Sequence, residues 1–336
     1  MALESIVTVK LKRTEFAGPV KIEKRSHLND NDGAIYSLFD TAKKQLNRSA
    51  NKRFGFFDSA AEHKQFPALL AALQNKSIDF LSFANKTAEQ LQVQFEAAET
   101  PFTYAILFAQ ESLLGQDYLY ILCLQTADII QMGTDLNPHT SESIEASKVP
   151  FAVRLHLNGW QDEDSAKYLT QLCARGSKDL SEAFQRFTNF CEGIDLKQQT
   201  TEFLTIVEDF AEALPDEKAK QVTKQILDYC VDQDKIGEPV MVEDISQQLD
   251  QHAPKHFTEF VAQAQAQPEP EILTDRSSLK KYMRYSGRDN SLSISFSAER
   301  FGQDITYDAT RGTLNISTLP KSLRVQLSGF ADKKEH

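Results

Sequence analysis

The spacing of apolar residues changes once along this chain, and that change narrows the folds open to it. Up to about residue 160, hydrophobic side chains tend to alternate with period two, the pattern of strands with one face on a core. Ile6-Val7-Thr8-Val9-Lys10-Leu11-Lys12 and Val20-Lys21-Ile22-Glu23 read as strands, and residues 102–109, 117–124 and 129–133 as three more in succession. Asn137-Pro138-His139-Thr140 breaks that series. In residues 151–157 the alternation is clean: Phe151, Val153, Leu155 and Leu157 face a core, and Arg154 and His156 share the opposite face. Helices interrupt the strands. One follows Asp30-Asn31-Asp32-Gly33 and carries Ile35, Leu38, Phe39, Ala42 and Leu46, with a Gly-Phe-Phe turn at Gly55 closing the element. Two more are expected over residues 65–74 and 78–97.

From residue 162 to 267 the period becomes helical. Phe203, Val207, Phe210 and Leu214 step by four, three and four, and Leu214-Pro215-Asp216-Glu217 stops one helix and starts the next. Gly237-Glu238-Pro239 interrupts again, and the Gln/Ala run of 263–270 with its two prolines reads as a helix end and linker. A short basic helix over 277–285, strands at 291–296, 305–308 and 313–316, and a last amphipathic helix over 319–327 complete the chain. The fold class expected is α+β: an N-terminal mixed antiparallel sheet with helices (1–160), a helical acidic middle (161–270), and a small C-terminal β-sheet with flanking helices (271–336).

Charge is distributed as unevenly as hydrophobicity. The net charge is -11, yet residues 1–60 hold 11 basic against 7 acidic side chains and residues 271–336 hold 11 against 8. Between them, residues 61–150 hold 4 against 11 and residues 151–270 hold 11 against 22. Screening confines a charge's field to about 10 Å at ~0.1 M salt, so local basic patches can hold phosphates on an anionic molecule. Cys123, Cys173, Cys191 and Cys230 lack C-x-x-C spacing and read as reduced core thiols. With no apolar run of membrane-spanning length and no secretory signal in Met1-Ala2-Leu3-Glu4-Ser5, the expected compartment is the cytoplasm, with no membrane partner.

Motifs for catalysis are missing: no phosphate-binding glycine loop, dinucleotide fingerprint, zinc-protease helix or nucleophile elbow is present. No catalytic residue, metal or cofactor is therefore assigned. His252 and His256 have the spacing of a helical metal pair, but Pro254 between them argues against one continuous helix. Asp162-Glu163-Asp164 is read as helix capping rather than as part of a nuclease site. Residues 240–264 allow a helix-turn-helix, but the second helix offers only Lys255 and His256 against Glu259, so ordinary packing is preferred.

Basic clusters carry the stronger signal. Lys43, Lys44, Arg48, Lys52 and Arg53 fall within fourteen acid-free residues, though a solvated helix face would look the same. Arg276, Lys280, Arg284 and Arg288 step by four, with Lys281 beside them and Tyr282 and Tyr285 interleaved, which would line up cations along one side of a helix that reached that far. Arg175 and Lys178 flank Gly176 at a helix junction, where backbone N–H groups and cations can hold a phosphate.

Several stretches resemble one known family. They are Asn51-Lys52-Arg53-Phe54-Gly55-Phe56-Phe57, Asp135-Leu136-Asn137, residues 152–157 with Trp160, Tyr168-Leu169-Thr170, Arg175-Gly176, residues 184–190 and Glu192-Gly193. The C-terminal text adds Asp275-Arg276-Ser277-Ser278-Leu279, Leu292-Ser293-Ile294-Ser295-Phe296, Tyr307-Asp308, Thr313-Leu314-Asn315-Ile316, and Pro320 with Leu323-Arg324-Val325-Gln326-Leu327. Together they resemble the nucleoid-associated protein family of the NdpA/YejK type in Gram-negative bacteria. The resemblance implies a place at the nucleoid, association with DNA, and type II topoisomerase subunits as partners; it supplies no catalytic residues and no defined DNA-contacting set. The function expected is therefore a sequence-tolerant, non-enzymatic DNA-binding protein that contacts phosphates through local basic patches, with a homodimer among its assemblies. The alternative is an adaptor that docks a type II topoisomerase through its acidic helical region.

Overall fold

A computed structural model describes residues 2–29, 32–58, 65–113, 115–160, 167–173, 176–249, 256–264 and 269–331. The chain opens with strands β1 (Ala2–Arg13) and β2 (Lys21–Glu23), helix α1 (Gly33–Arg48), strand β3 (Lys52–Phe57), and helices α2 (Gln65–Gln74) and α3 (Phe80–Glu96). Strands β4 (Phe102–Leu113), β5 (Gln116–Met132), β6 (Pro138–Ile144) and β7 (Phe151–His156) follow, then α4 (Leu157–Trp160), β8 (Leu169–Cys173), α5 (Lys178–Thr188) and β9 (Phe190–Glu192). These strands build one antiparallel sheet in the order β2-β1-β4-β5-β7-β8-β3-β9, with β6 paired to the far half of β5.

Both faces of that sheet are covered, which explains the near-continuous apolar text of β4 and β5. Leu119, Ile121 and Cys123 of β5 join Phe66 and Leu70 of α2, Phe83, Leu91 and Phe95 of α3, and Phe184 and Phe187 of α5 in one core. Tyr120, Leu122 and Leu124 turn the other way, onto Phe39, Ala42 and Leu46 of α1. Alternation divides β1 between the layers, with Ile6 on the α1 side and Val7, Val9 and Leu11 on the other, and a bulge between Leu3 and Ser5 brings Leu3 to the side of Ile6. Each such fully buried side chain contributes about 1.5–3 kcal/mol. The cap expected at the start of α1 is Asp32, which accepts the N–H groups of Ala34 and Ile35.

The sheet runs past the boundary expected at residue 160, because β8, α5 and β9 complete it, and Leu169, Leu180 and Phe184 lie in its core. Two other local readings are corrected. Gly55 is no turn; it lies inside β3, where an added Cβ would stand 1.9 Å from the Cys191 carbonyl oxygen, so glycine is what lets β9 approach. Residues 117–124 and 129–133 are one strand, and the segment containing Asn137–Thr140 pairs with its outer half as β6 instead of ending the series. Proline is tolerated there because Pro138 begins the strand.

The second core is helical: α6 (Leu196–Glu212), α7 (Asp216–Ile236), strand β10 (Val240–Met241), α8 (Val242–Leu249), α9 (His256–Ala264), strand β11 (Glu271–Ile272) and α10 (Arg276–Met283). Phe203, Val207, Phe210, Ile226, Ile245, Phe257 and Val261 meet in it. Phe257 and Val261 give the apolar face of α9 to this core. Ile272 pairs with Val240 and Leu279 is buried in the same cluster, so this unit continues through α10 instead of ending at 270. Cys123 and Cys230 are free thiols inside the two cores, and burial pushes Cys230 up to about 12. Cys173 and Cys191 are also free but only partly buried.

The rest is thin. Strands β12 (Arg284–Arg288) and β13 (Ser293–Ser297) form one two-stranded ribbon, and β14 (Ile305–Asp308) and β15 (Thr313–Ile316) another, followed by α11 (Lys321–Ala331). Ile305 is the one fully buried hydrophobic residue among those described after Leu279.

Candidate nucleic-acid interface

The cations of the first cluster do not share a surface. Lys43 lies on the inward side of α1, four residues after Phe39, and its ammonium donates to both oxygens of Glu111 on β4 at 2.8 and 2.5 Å. The Tyr120 hydroxyl donates to the same carboxylate at 3.0 Å. Lys52 is buried as well, donating to the Asn47 carbonyl at 2.6 Å and to Asp234 of α7 at 2.8 Å. Burial lowers the Lys52 pKa below the ordinary lysine value, against the pull of Asp234. Arg53 lies over the Phe190 ring at 5.3 Å and reaches Gln171 at 3.2 Å and Glu192 at 3.6 Å. Lys44 is exposed and paired with Asp40 one turn earlier. Arg48 is exposed at the end of α1, where a cation complements the helix dipole. Five charges close in sequence are thus split between interior and surface, and Lys43 and Lys52 are unavailable to a phosphate backbone.

Lys52 belongs to a seam between the sheet and the helical unit, to which both contribute residues. Arg154 of β7 donates to the Gly237 carbonyl at 2.5 Å and to Glu238 at 2.6 Å, and its guanidinium lies 4.2 Å from the centre of the Tyr118 ring. The Asn47 amide donates to the Ile236 carbonyl at 2.7 Å. Gly237 ends α7 at φ +78°, and a Cβ there would stand 2.5 Å from Asn47 Oδ1. The free carbonyls at the C-terminal end of α7 therefore draw Arg154 and the Asn47 amide, while the side chain of Asp234 in its last turn takes Lys52.

The junction pair divides too. Arg175 lies outside the described residues, as do Asp162, Glu163, Asp164, His252 and Pro254. Lys178 is almost fully exposed at the start of α5, 3.6 Å from Glu182. It lines a groove with Arg53, Lys197 and the starts of α6 and α10. Carboxylates already satisfy the N–H groups there: Asp195 accepts from Lys197 and Gln198 at 3.0 and 3.1 Å, and Asp275 from Ser278 at 2.8 Å. The start of α5, beside Gly176, has no such side-chain cap, its N-cap residue Ser177 making none.

In the last cluster the four-residue ladder breaks, because α10 ends at Met283 and Arg284 begins a strand. Arg276 turns inward, 3.5 Å from Asp234. Lys280 and Lys281 stay exposed on the last turn of α10. Strand alternation then places Arg284, Ser286 and Arg288 on one face of the β12–β13 ribbon, opposite Ser297, Ser295 and Ser293. The Arg284 guanidinium donates to Ser295 Oγ at 3.1 and 3.3 Å, which fixes that shared face. Tyr285, Ile294 and Phe296 take the other side, with Tyr285 5.5 Å from Phe296 and 5.1 Å from Phe301 between ring centres. Asp289, at the turn, is folded onto the N–H groups of Ser291 and Leu292. Two guanidinium groups and four hydroxyls thus share one face of the ribbon, and none of its residues on that face is a carboxylate. The serines were missed in the sequence, although Leu292-Ser293-Ile294-Ser295-Phe296-Ser297 shows their period-two spacing.

Relatives of the chain share most of its length. It is 31% identical to a nucleoid-associated protein of Pseudomonas syringae pv. tomato over 308 residues, covering 90% of this chain and 92% of that one. A nucleoid-associated protein of Pseudomonas paraeruginosa is 28% identical over 330 residues, 97% of both chains. One from Pseudomonas putida is 30% identical over 302 residues, 89% of this chain and 90% of its own. The profile of the family described as nucleoid-associated protein YejK matches residues 8–324. By that match, which spans both cores and the ribbon, the chain belongs to the nucleoid-associated protein YejK family.

Proposed function

We propose that this protein binds DNA at the nucleoid through phosphate contacts, with little reading of base sequence and no catalytic step. The observation that carries the reading is the Arg284–Ser286–Arg288 face of the ribbon, extended by Lys280 and Lys281. Guanidinium and hydroxyl groups donate to phosphate oxygens, and contacts of that kind position a protein on the duplex without specifying sequence. A two-stranded ribbon also has the dimensions to enter a major groove. Membership of a nucleoid-associated family supports the location. Fluorescence anisotropy with unrelated duplexes, titrated between about 50 and 200 mM salt, tests it. Similar affinities and a steep salt slope are expected, both reduced by Arg284→Glu with Arg288→Glu. Binding by the double variant at wild-type strength and slope would remove this face from the interface.

A second reading rests on α6, whose outward side carries exposed Glu202, Glu208, Asp209 and Glu212. Such a face suits a partner with a basic surface, of which a type II topoisomerase subunit is one. Loss of co-elution with that enzyme when these acids become Gln or Asn, with DNA affinity unchanged, would favour the adaptor reading.

A further inference from the structure

The Arg and Ser face of the ribbon has a shape as well as a charge. In the register of β12 on β13, Arg284 lies opposite Ser297, Ser286 opposite Ser295, and Arg288 opposite Ser293. The cations therefore stand at the two ends of the face, and its middle row holds the small side chains of Ser286 and Ser295. Arg284 and Arg288 are the first and last residues of β12, which sets them about 13 Å apart at ~3.3 Å per strand residue. The major groove of B-form DNA is ~12 Å wide, and a two-stranded ribbon is one of the elements that it admits.

The face is also open. Arg284, Ser286, Arg288, Ser293 and Ser295 are all exposed, whereas Tyr285 on the other side packs against Phe296 and Phe301 of its own chain. Asp289, the acid at the turn, is already occupied by the N–H groups of Ser291 and Leu292. The bond from Arg284 to Ser295 joins a cation to a neutral hydroxyl, and a phosphate oxygen is the stronger acceptor.

We propose that the ribbon seats this face in the major groove, with Arg284 on a phosphate of one strand, Arg288 on a phosphate of the other, and Ser286 and Ser295 over the base edges between them. The inference rests on the DNA reading above and adds to it the class of duplex accepted: B-form, with no bulky group in the major groove. A serine hydroxyl both donates and accepts, so it bonds to any base edge and the contact stays tolerant of sequence. A large group carried on C5 of cytosine projects into the major groove, where the two serines must lie. Such a duplex keeps its phosphate charge and loses the room for the ribbon.

Anisotropy at fixed salt with the full chain tests it on duplexes of one sequence: unmodified, carrying glucosylated 5-hydroxymethylcytosine, and unmodified with netropsin in the minor groove of its A/T runs. Wild type is expected to bind the glucosylated duplex at least about tenfold more weakly than the unmodified one, and the netropsin-filled duplex within about twofold of it. Ser286→Tyr with Ser295→Tyr keeps the charge and fills the space between the arginines. With unchanged circular dichroism, this variant should bind both the unmodified and the glucosylated duplex weakly and to about the same extent. Equal affinity of wild type for the two overturns the inference; if Arg284→Glu with Arg288→Glu still weakens binding, the phosphate reading stands without it. Full discrimination by the tyrosine variant, or a loss caused by netropsin instead of glucose, overturns it as well, because the groove is then met by other residues or on its other side. Indifference of binding to the arginine pair removes the phosphate reading and this inference together.

Discussion

The interior of the molecule and the ribbon beyond it use the same kinds of cation to opposite ends. Under α1 and along the seam, Lys43, Lys52 and Arg154 are buried, each against a carboxylate from a different part of the chain. On the ribbon, Arg284 and Arg288 stand in solvent with serines for neighbours. The difference lies in what surrounds each cation. A cation among apolar residues must find a carboxylate or carbonyl, because an uncompensated buried charge is costly. One on a strand whose same-face neighbours are hydroxyls stays hydrated and free to meet a phosphate. Density of positive charge in the sequence therefore does not say whether a cation is exposed; the apolar pattern beside it does.

Removing Asp234 should break that contrast most severely, since it leaves Lys52 and Arg276 without their carboxylate. Asp234→Ala is expected to cost about 3–5 kcal/mol in urea unfolding. Because burial already lowers the Lys52 pKa, the unfolded chain binds more protons than the folded one, and the variant should recover stability as pH rises toward the ordinary lysine value near ~10.4. A loss below about 1 kcal/mol, flat with pH, would mean that the seam tolerates its charges unpaired. Arg284→Ala with Arg288→Ala should do the reverse. Unfolding should stay within about 0.5 kcal/mol of wild type, while the salt slope of DNA binding falls by about 2.

Asp275 sharpens the comparison as an anion between the two regimes. Burial raises its pKa, but bonds from Ser277 and Ser278 outweigh this and hold the carboxyl below its usual value. Asp275→Ala should cost about 1 kcal/mol as a lost helix cap. The contribution is present above the unfolded value near ~3.9 and lost as pH falls through the lower folded value, so the acid limb of a stability profile should be shallower in the variant. Least affected should be Lys44→Ala, which removes an exposed pair with Asp40: about 0.5 kcal/mol or less by thermal unfolding.

Most of the architecture was legible because period two and period 3.6 are properties of the text. The alternation of residues 151–157 did place Arg154 opposite Phe151, Val153 and Leu155. It could not show that the opposite face is also covered, since the cover, the end of α7, lies some eighty residues away. The same distance hid the fate of Lys52, whose partner Asp234 is 182 positions on. On the ribbon the failure was one of period: a step of four fits a helix and a strand equally well, and the period-two signal lies in the facing strand, at Ser293, Ser295 and Ser297.

Asp234 also joins two parts that would otherwise be mechanically separate. Its carboxylate holds Lys52 of the sheet and Arg276, the first residue of the helix that leads into the ribbon. A pull on the ribbon is therefore shared between the packing of Leu279 in the helical core and that carboxylate, which passes its part into β3, a strand flanked on both sides. Load on the ribbon would thus reach the sheet partly through an ionic joint, beside the Arg154 and Asn47 contacts of the same seam.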